Sequence, residues 1–150
     1  MRVSAPTVLH TIAIKLKIPD NTAYSALTAL RRLGVDVAHV QRADIWQFED
    51  AASSKDVAAR VQRDESLFNP NKHTLEVLAS SKPRPGETWI CQGEVSCHPE
   101  ESKDPEVSKG PRHYISYRLF NEDHTPASQA TVEEAIEKLL CNPAIERAIT

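Results

Sequence analysis

Cysteines and histidines are the residues of this chain best able to do chemistry, and three of them fall close together: Cys91, Cys97 and His98, with His113 further on. Thiolate and imidazole are donors that zinc favours, so these four could form a ligand set. Structural zinc sites space paired cysteines two to four residues apart, whereas five residues separate Cys91 from Cys97. A buried strand cysteine beside a loop cysteine accounts for the pattern without a metal. Cys97 could also be a nucleophile, with His98 or His113 as its base. Neighbouring residues on an extended chain point to opposite faces, and nothing nearby would lower the thiol pKa. The pairs Glu100-Glu101 and Glu133-Glu134 have the composition of an acid–base dyad. The second falls at the expected start of a helix, where acids favour the macrodipole, and the first lies in a polar loop. Lys15, Lys17 and Arg42 could hold an anion on an outer sheet face, although solvated strand cations also discourage edge pairing. With four glycines there is no glycine-rich phosphate loop. No catalytic constellation emerges, no cofactor is expected, and binding and assembly are the expected work.

Composition narrows the field further. The 150 residues suffice for one ordinary domain or two very small ones. A formal charge of −3 and only scattered cation pairs such as Arg31-Arg32 give no basic patch for nucleic acid. Aromatics are too few for a base-stacking platform. No run approaches the ~18 apolar residues of a membrane span, and Met1 to Pro6 has no apolar signal core. Three cysteines, an odd number, point to free thiols in a reducing, cytoplasmic setting.

Periodicity supplies the elements that must position these groups. From His10 to Ile18 the residues alternate, with Ile12, Ile14, Leu16 and Ile18 on one side, as in a half-buried strand. From Thr22 to Leu33 the period becomes helical, with Asn21 or Thr22 as cap and Gly34 at the stop. Val35 to Val40 and Ile45 to Phe48 read as two strands, joined at Gln41-Arg42-Ala43-Asp44 by a hairpin that lacks the usual Asn-Gly or Asp-Gly. Ser53 or Ser54 opens a second helix, and Thr74 to Leu78 is a further strand. The order β-α-β-β-α-β favours an α+β fold, an antiparallel sheet with helices packed on one face. Trp46 and Phe48, two apart, share a strand face; a small two-layer domain leaves a sheet face to cover, which favours a subunit interface.

Residues 80–86, rich in proline and serine, read as a linker between a unit over 1–79 and a second half over 87–150. In that half Glu87 to Val95 and Tyr114 to Phe120 read as strands, and 97–112 as a long loop. Thr131-Val132-Glu133-Glu134 forms a capping box, and Ala144 to Ile149 a last strand. The halves echo one another. Glu49-Asp50 precedes Asn69-Pro70 by twenty residues, and Glu122-Asp123 precedes Asn142-Pro143 by the same twenty. Such an echo predicts a duplicated, pseudo-symmetric fold whose two copies pack as the subunits of a homodimer would.

The run Leu139-Leu140-Cys141-Asn142-Pro143-Ala144-Ile145-Glu146 resembles the C-terminal signature of the PurS family, and Leu67-Phe68-Asn69-Pro70 resembles a weaker copy. Residues 10–40 are similar to the PurS start: a strand ending near Pro19-Asp20, a helix ending at Leu33-Gly34, then Val37 and Val40. The resemblance covers residues 8–79 and, with its first helix lost, 87–150. PurS is the small, non-catalytic subunit of bacterial phosphoribosylformylglycinamidine synthase, bridging a glutaminase and an ATP-dependent synthetase in purine biosynthesis. The resemblance implies an α+β accessory subunit that oligomerises through its sheets. Gln41, Arg42, Ala43 and Asp44 would meet a partner, and Trp46, Phe48, Ile12, Ile14 and Leu16 would serve assembly. The family hairpin has Arg-x-Gly-Lys where this chain has Gln41-Arg42-Ala43-Asp44, so the charge at its end is reversed. Two other readings remain open, a small-metabolite-sensing module and a metal or thiol protein built on Cys91, Cys97 and His98.

Overall fold

A computed structural model describes residues 8–92, 112–142 and 146–150. The chain runs β1 (Val8–Leu16), α1 (Asn21–Arg32), β2 (His39–Asp50), α2 (Ser54–Arg63), β3 (His73–Leu78), β4 (Glu87–Gln92), β5 (Arg112–Phe120), α3 (Gln129–Ala135) and β6 (Glu146–Ile149). All strand pairs are antiparallel, and they form one six-stranded sheet in the order β3-β1-β2-β5-β4-β6.

The alternation read from the sequence places Ile12 and Ile14 of β1 under α2, in a cluster with Val57, Val61 and Phe68. α1 and α3 cover the other end of the same face, where Leu30 and Val132 meet Ile90 and Leu119. All three helices therefore lie on one side of the sheet. α1 is capped by Asp20, whose carboxylate accepts from the Thr22 and Ala23 amides, and not by Asn21 or Thr22. α2 is capped by Ser53 as expected. α3 starts two residues before the Thr131 box, because Ser128 accepts from the Thr131 amide. Its last turn widens to a π-helical one over Ile136–Leu140, closed by the Cys141 amide on the Ile136 carbonyl.

The expected hairpin at Gln41–Asp44 is absent: β2 is a single strand of 12 residues. The stretch contains no glycine, proline or asparagine to set a turn, while Gln41, Ala43, Ile45 and Gln47 alternate without a break with Arg42, Asp44, Trp46 and Phe48. Nor are Val35 and Val37 part of a strand. Gly34, at φ 86°, takes the left-handed conformation that ends α1, and the two valines drop into the core beside Leu30. The first unit is thus β-α-β-α-β.

The face without helices is buried as well. Ala13, Ala43, Ile45, Trp89, Cys91 and Tyr114 pack together on it, and residues 79–86 pass across it from β3 to β4. The Gln47 amide donates to the Ser81 carbonyl at 3.0 Å. Arg84 reaches Glu76 on β3 at 3.3 Å and Glu87 on β4 at 3.1 Å. In a flat sheet four strand spacings hold β3 and β4 about 19 Å apart; one guanidinium touching both requires the sheet to curl around this face.

Candidate functional site

The middle of β2 holds most of the residues singled out above. Ala43 sits opposite Ser116 of β5, and both are buried. Asp44 Oδ1 and His113 Nε2 lie 2.9 Å apart on the helical face. The His113 ring packs against Trp46 with centroids 4.4 Å apart, and Trp46 stacks in turn on Phe48. The hydrogen bond to His113 holds the Asp44 carboxyl below the usual carboxylate range; burial opposes this, and the charges of His113 and Arg42 add to it. Ile12 and Ile14 are buried beneath α2. In this chain they are core, and they present no free surface for assembly.

Leu16 and Arg42 line a cleft. Pairing of β1 with β2 stops at Ile14 and Asp44. β1 nevertheless continues along β3 as far as Leu16 and His73, and β2 continues along β5 to His39. The two strands splay, and α1 roofs the gap. The result is a cavity of about 540 Å³ lined by Lys15 and Leu16 on one wall, His39 to Arg42 on the other, and Asp20, Ala23, Tyr24 and Leu27 above. Arg42 Nη1 stands 3.9 Å from Asp20 Oδ2, too long for a hydrogen bond. Its Nε is buried with no hydrogen-bond partner. The other Asp20 oxygen accepts the two α1 amides. The three cations proposed for an anion site do not meet: Arg42 faces Asp20 on the helical face, Lys15 follows Ala13 on the opposite face of β1, and the Lys17 ammonium donates to the Pro70 carbonyl at 2.6 Å.

Opposite this cleft, on the closed face, Glu87 is buried to 2 % exposure. Burial would push its carboxyl up. Hydrogen bonds from the Arg84 guanidinium and amide and from the Ser116 hydroxyl outweigh it, so the group is held below its ordinary range. The sequence offers one hint of this pair, an acid three residues after an arginine at the start of an apolar strand. Asp20, Tyr24 and His39 were likewise not legible as cleft residues, since they come together only through the splay of β1 from β2.

The metal and thiol candidates do not assemble among the described residues. Cys91 lies on the closed face with Tyr114, whereas His113 lies on the helical face against Trp46. Cys91 is disulfide-bonded, which corrects the expectation of a free thiol at that position; Cys141 is free. No group of three or more potential metal-binding side chains occurs among the described residues. Cys97, His98 and the pair Glu100-Glu101 lie outside them. Glu133 and Glu134 follow the first turn of α3, where they meet Gln129 and Lys138. No described helix is long and apolar enough to cross a membrane.

No family model matches the chain, and no curated protein matches it.

Proposed function

We propose that this chain is a PurS-like accessory subunit, two related α+β halves fused in one polypeptide, which positions a glutaminase and an ATP-dependent synthetase of purine biosynthesis without catalysing a step itself. The observation that carries this reading is a coincidence of offsets. The repeated Glu-Asp and Asn-Pro pairs are each 73 residues apart in sequence. Ala43 and Ser116, which face each other in the central strand pair, are also 73 residues apart. A residue opposite its own counterpart is what a two-fold axis through an antiparallel pair produces.

The sheet order supports the same reading. On one side of the central pair β1 lies between β2 and β3, and on the other β4 lies between β5 and β6. α2 and α3 each connect the second strand of a half to its third. The contact between β2 and β5 would then stand in for the one that two separate copies make, with the small Ala43 at its centre.

The test is affinity capture of the tagged chain from its native host, followed by mass spectrometry. Recovery of a glutaminase together with an ATP-dependent amidine-forming synthetase is expected. Recovery of the chain alone, as a stable homo-oligomer, would remove the bridging role.

A further inference from the structure

We infer that Ser54 is an acyl-acceptor site, its hydroxyl activated by His10 so that it takes the acyl group of an activated ester. The two residues are 44 apart in sequence and meet where the start of α2 comes down on β1. Ser54 Oγ stands 2.9 Å from His10 Nδ1, and His10 Nε2 stands 3.2 Å from the Asp50 carbonyl oxygen. A carbonyl oxygen only accepts, so Nε2 carries the ring proton of the neutral imidazole. Nδ1 is then left as an acceptor, and the Ser54 hydroxyl donates to it. A nucleophile within hydrogen-bond reach of a base that a third group orients is the arrangement that activates a serine.

The surroundings suit the reaction. His10 is 4 % exposed, whereas Ser54 is half-buried between the exposed Ser53 and Lys55, so an incoming group reaches the hydroxyl and not the ring. The Asp56 amide is taken by the Ser53 cap. The amides of Ser54 and Lys55, at the start of α2, have no acceptor within the helix. They stand beside the hydroxyl, where charge develops on the acyl oxygen. Asp50, whose carbonyl orients His10, also lines a cavity of about 120 Å³ with Phe48, Val57 and Leu67, room for a short acyl chain. In the step, Oγ bonds to the acyl carbon and the bond from that carbon to the leaving oxygen breaks. The Oγ proton passes through His10 Nδ1 to the leaving oxygen. With His10 buried, water is kept from the ring and the acyl ester persists, which makes Ser54 an acceptor and not a turnover centre. The site is independent of the accessory-subunit reading, which assigns no chemistry to this corner of the fold.

The experiment is treatment of the full chain with p-nitrophenyl acetate, following nitrophenolate release by absorbance and locating the acetyl group by mass spectrometry. The expected result is a stoichiometric burst and an acetyl ester on Ser54, which hydroxylamine removes while leaving lysine amides intact. General-base assistance is worth about 10²–10⁴-fold, so Ser54 should acetylate at least about a hundredfold faster than its neighbour Ser53, and His10→Gln should lose that advantage. Ser54→Ala should abolish the burst. Ser66→Ala, at an exposed position beyond α2, should react as the parent does. Circular dichroism confirms folding of each variant, and the comparison of Ser54 with Ser53 in the parent keeps the test valid if His10→Gln does not fold. The inference is overturned by absence of an acetyl ester at Ser54, as expected if the hydrogen bond only ties β1 to α2. It is equally overturned by acetylation of Ser53 at the same rate, or by a burst that folded His10→Gln leaves unchanged.

Discussion

Two glycines show how local surroundings set the cost of the same substitution. Gly34 and Gly86 both adopt positive φ, 86° and 76°. Nothing lies within 4 Å of a Cβ built on Gly34, whereas one on Gly86 would stand 2.8 Å from the Leu119 carbonyl oxygen and 2.9 Å from Pro126 Cβ. Gly34→Ala should cost about 1–2 kcal/mol, the conformational penalty alone. Gly86→Ala adds a backbone clash and should lose clearly more; equal midpoints in urea denaturation would contradict this. The Glu87 carboxylate gives a pH prediction. Its folded pKa is depressed, so its stabilising contribution is complete above the unfolded value and disappears as pH falls through the folded one. The chain should lose stability below about pH 4, and Glu87→Gln should flatten that loss. At neutral pH Glu87→Gln should already be less stable, by about 3 kcal/mol if the loss of a buried ionic partner dominates. Thermal unfolding from pH 3 to 7 checks both parts.

At the scale of elements the sequence revealed where most strands and helices lie but misassigned how two of them begin and one continues. β1, α2, β3 and β5 follow from alternation and helical spacing. α1 was expected to be capped by Asn21 or Thr22, yet Asp20 does so, because its carboxylate reaches two amides at 2.9 and 3.1 Å. Asp20→Ala should cost about 1 kcal/mol, lowering Tm by about 2–4 °C for a chain of this size; a scanning calorimeter reads it directly. The hairpin at Gln41–Asp44 was inferred from two apolar stretches with polar residues between them. Those polar residues are tolerated inside β2 for separate reasons: Arg42 and Asp44 reach Asp20 and His113, and Ala43 is small enough for the crowded middle of the sheet. Such partners come from distant positions and cannot be read locally. A turn would accept proline where a central strand does not. Ala43→Pro should therefore abolish the cooperative fold, visible as loss of the far-ultraviolet dichroism transition, whereas near-native stability would restore a turn at this place. The cleft was half legible: Arg42 stood out as a charge, but the splay that opens a gap beside it depends on β1 following β3.

The whole molecule is one sheet shared by two halves. Leu30, Val35 and Val37 of the first pack with Ile90, Leu119 and Val132 of the second, so neither half closes its core alone. The two tryptophans, Trp46 and Trp89, report on different halves. Single-tryptophan variants should unfold with coincident midpoints by fluorescence, as expected for one cooperative unit; separated midpoints would show two independent domains. The strand order also bears on how the protein is made. β1, β2 and β3 can pair as soon as they leave the ribosome, but the strand that completes β2's other flank, β5, follows about forty residues later. At 5–20 residues per second that interval lasts roughly 2–8 s. Throughout it β2 offers an open hydrogen-bonding edge to any passing chain, so the nascent protein is most exposed to mispairing with its neighbours on a polysome during that interval.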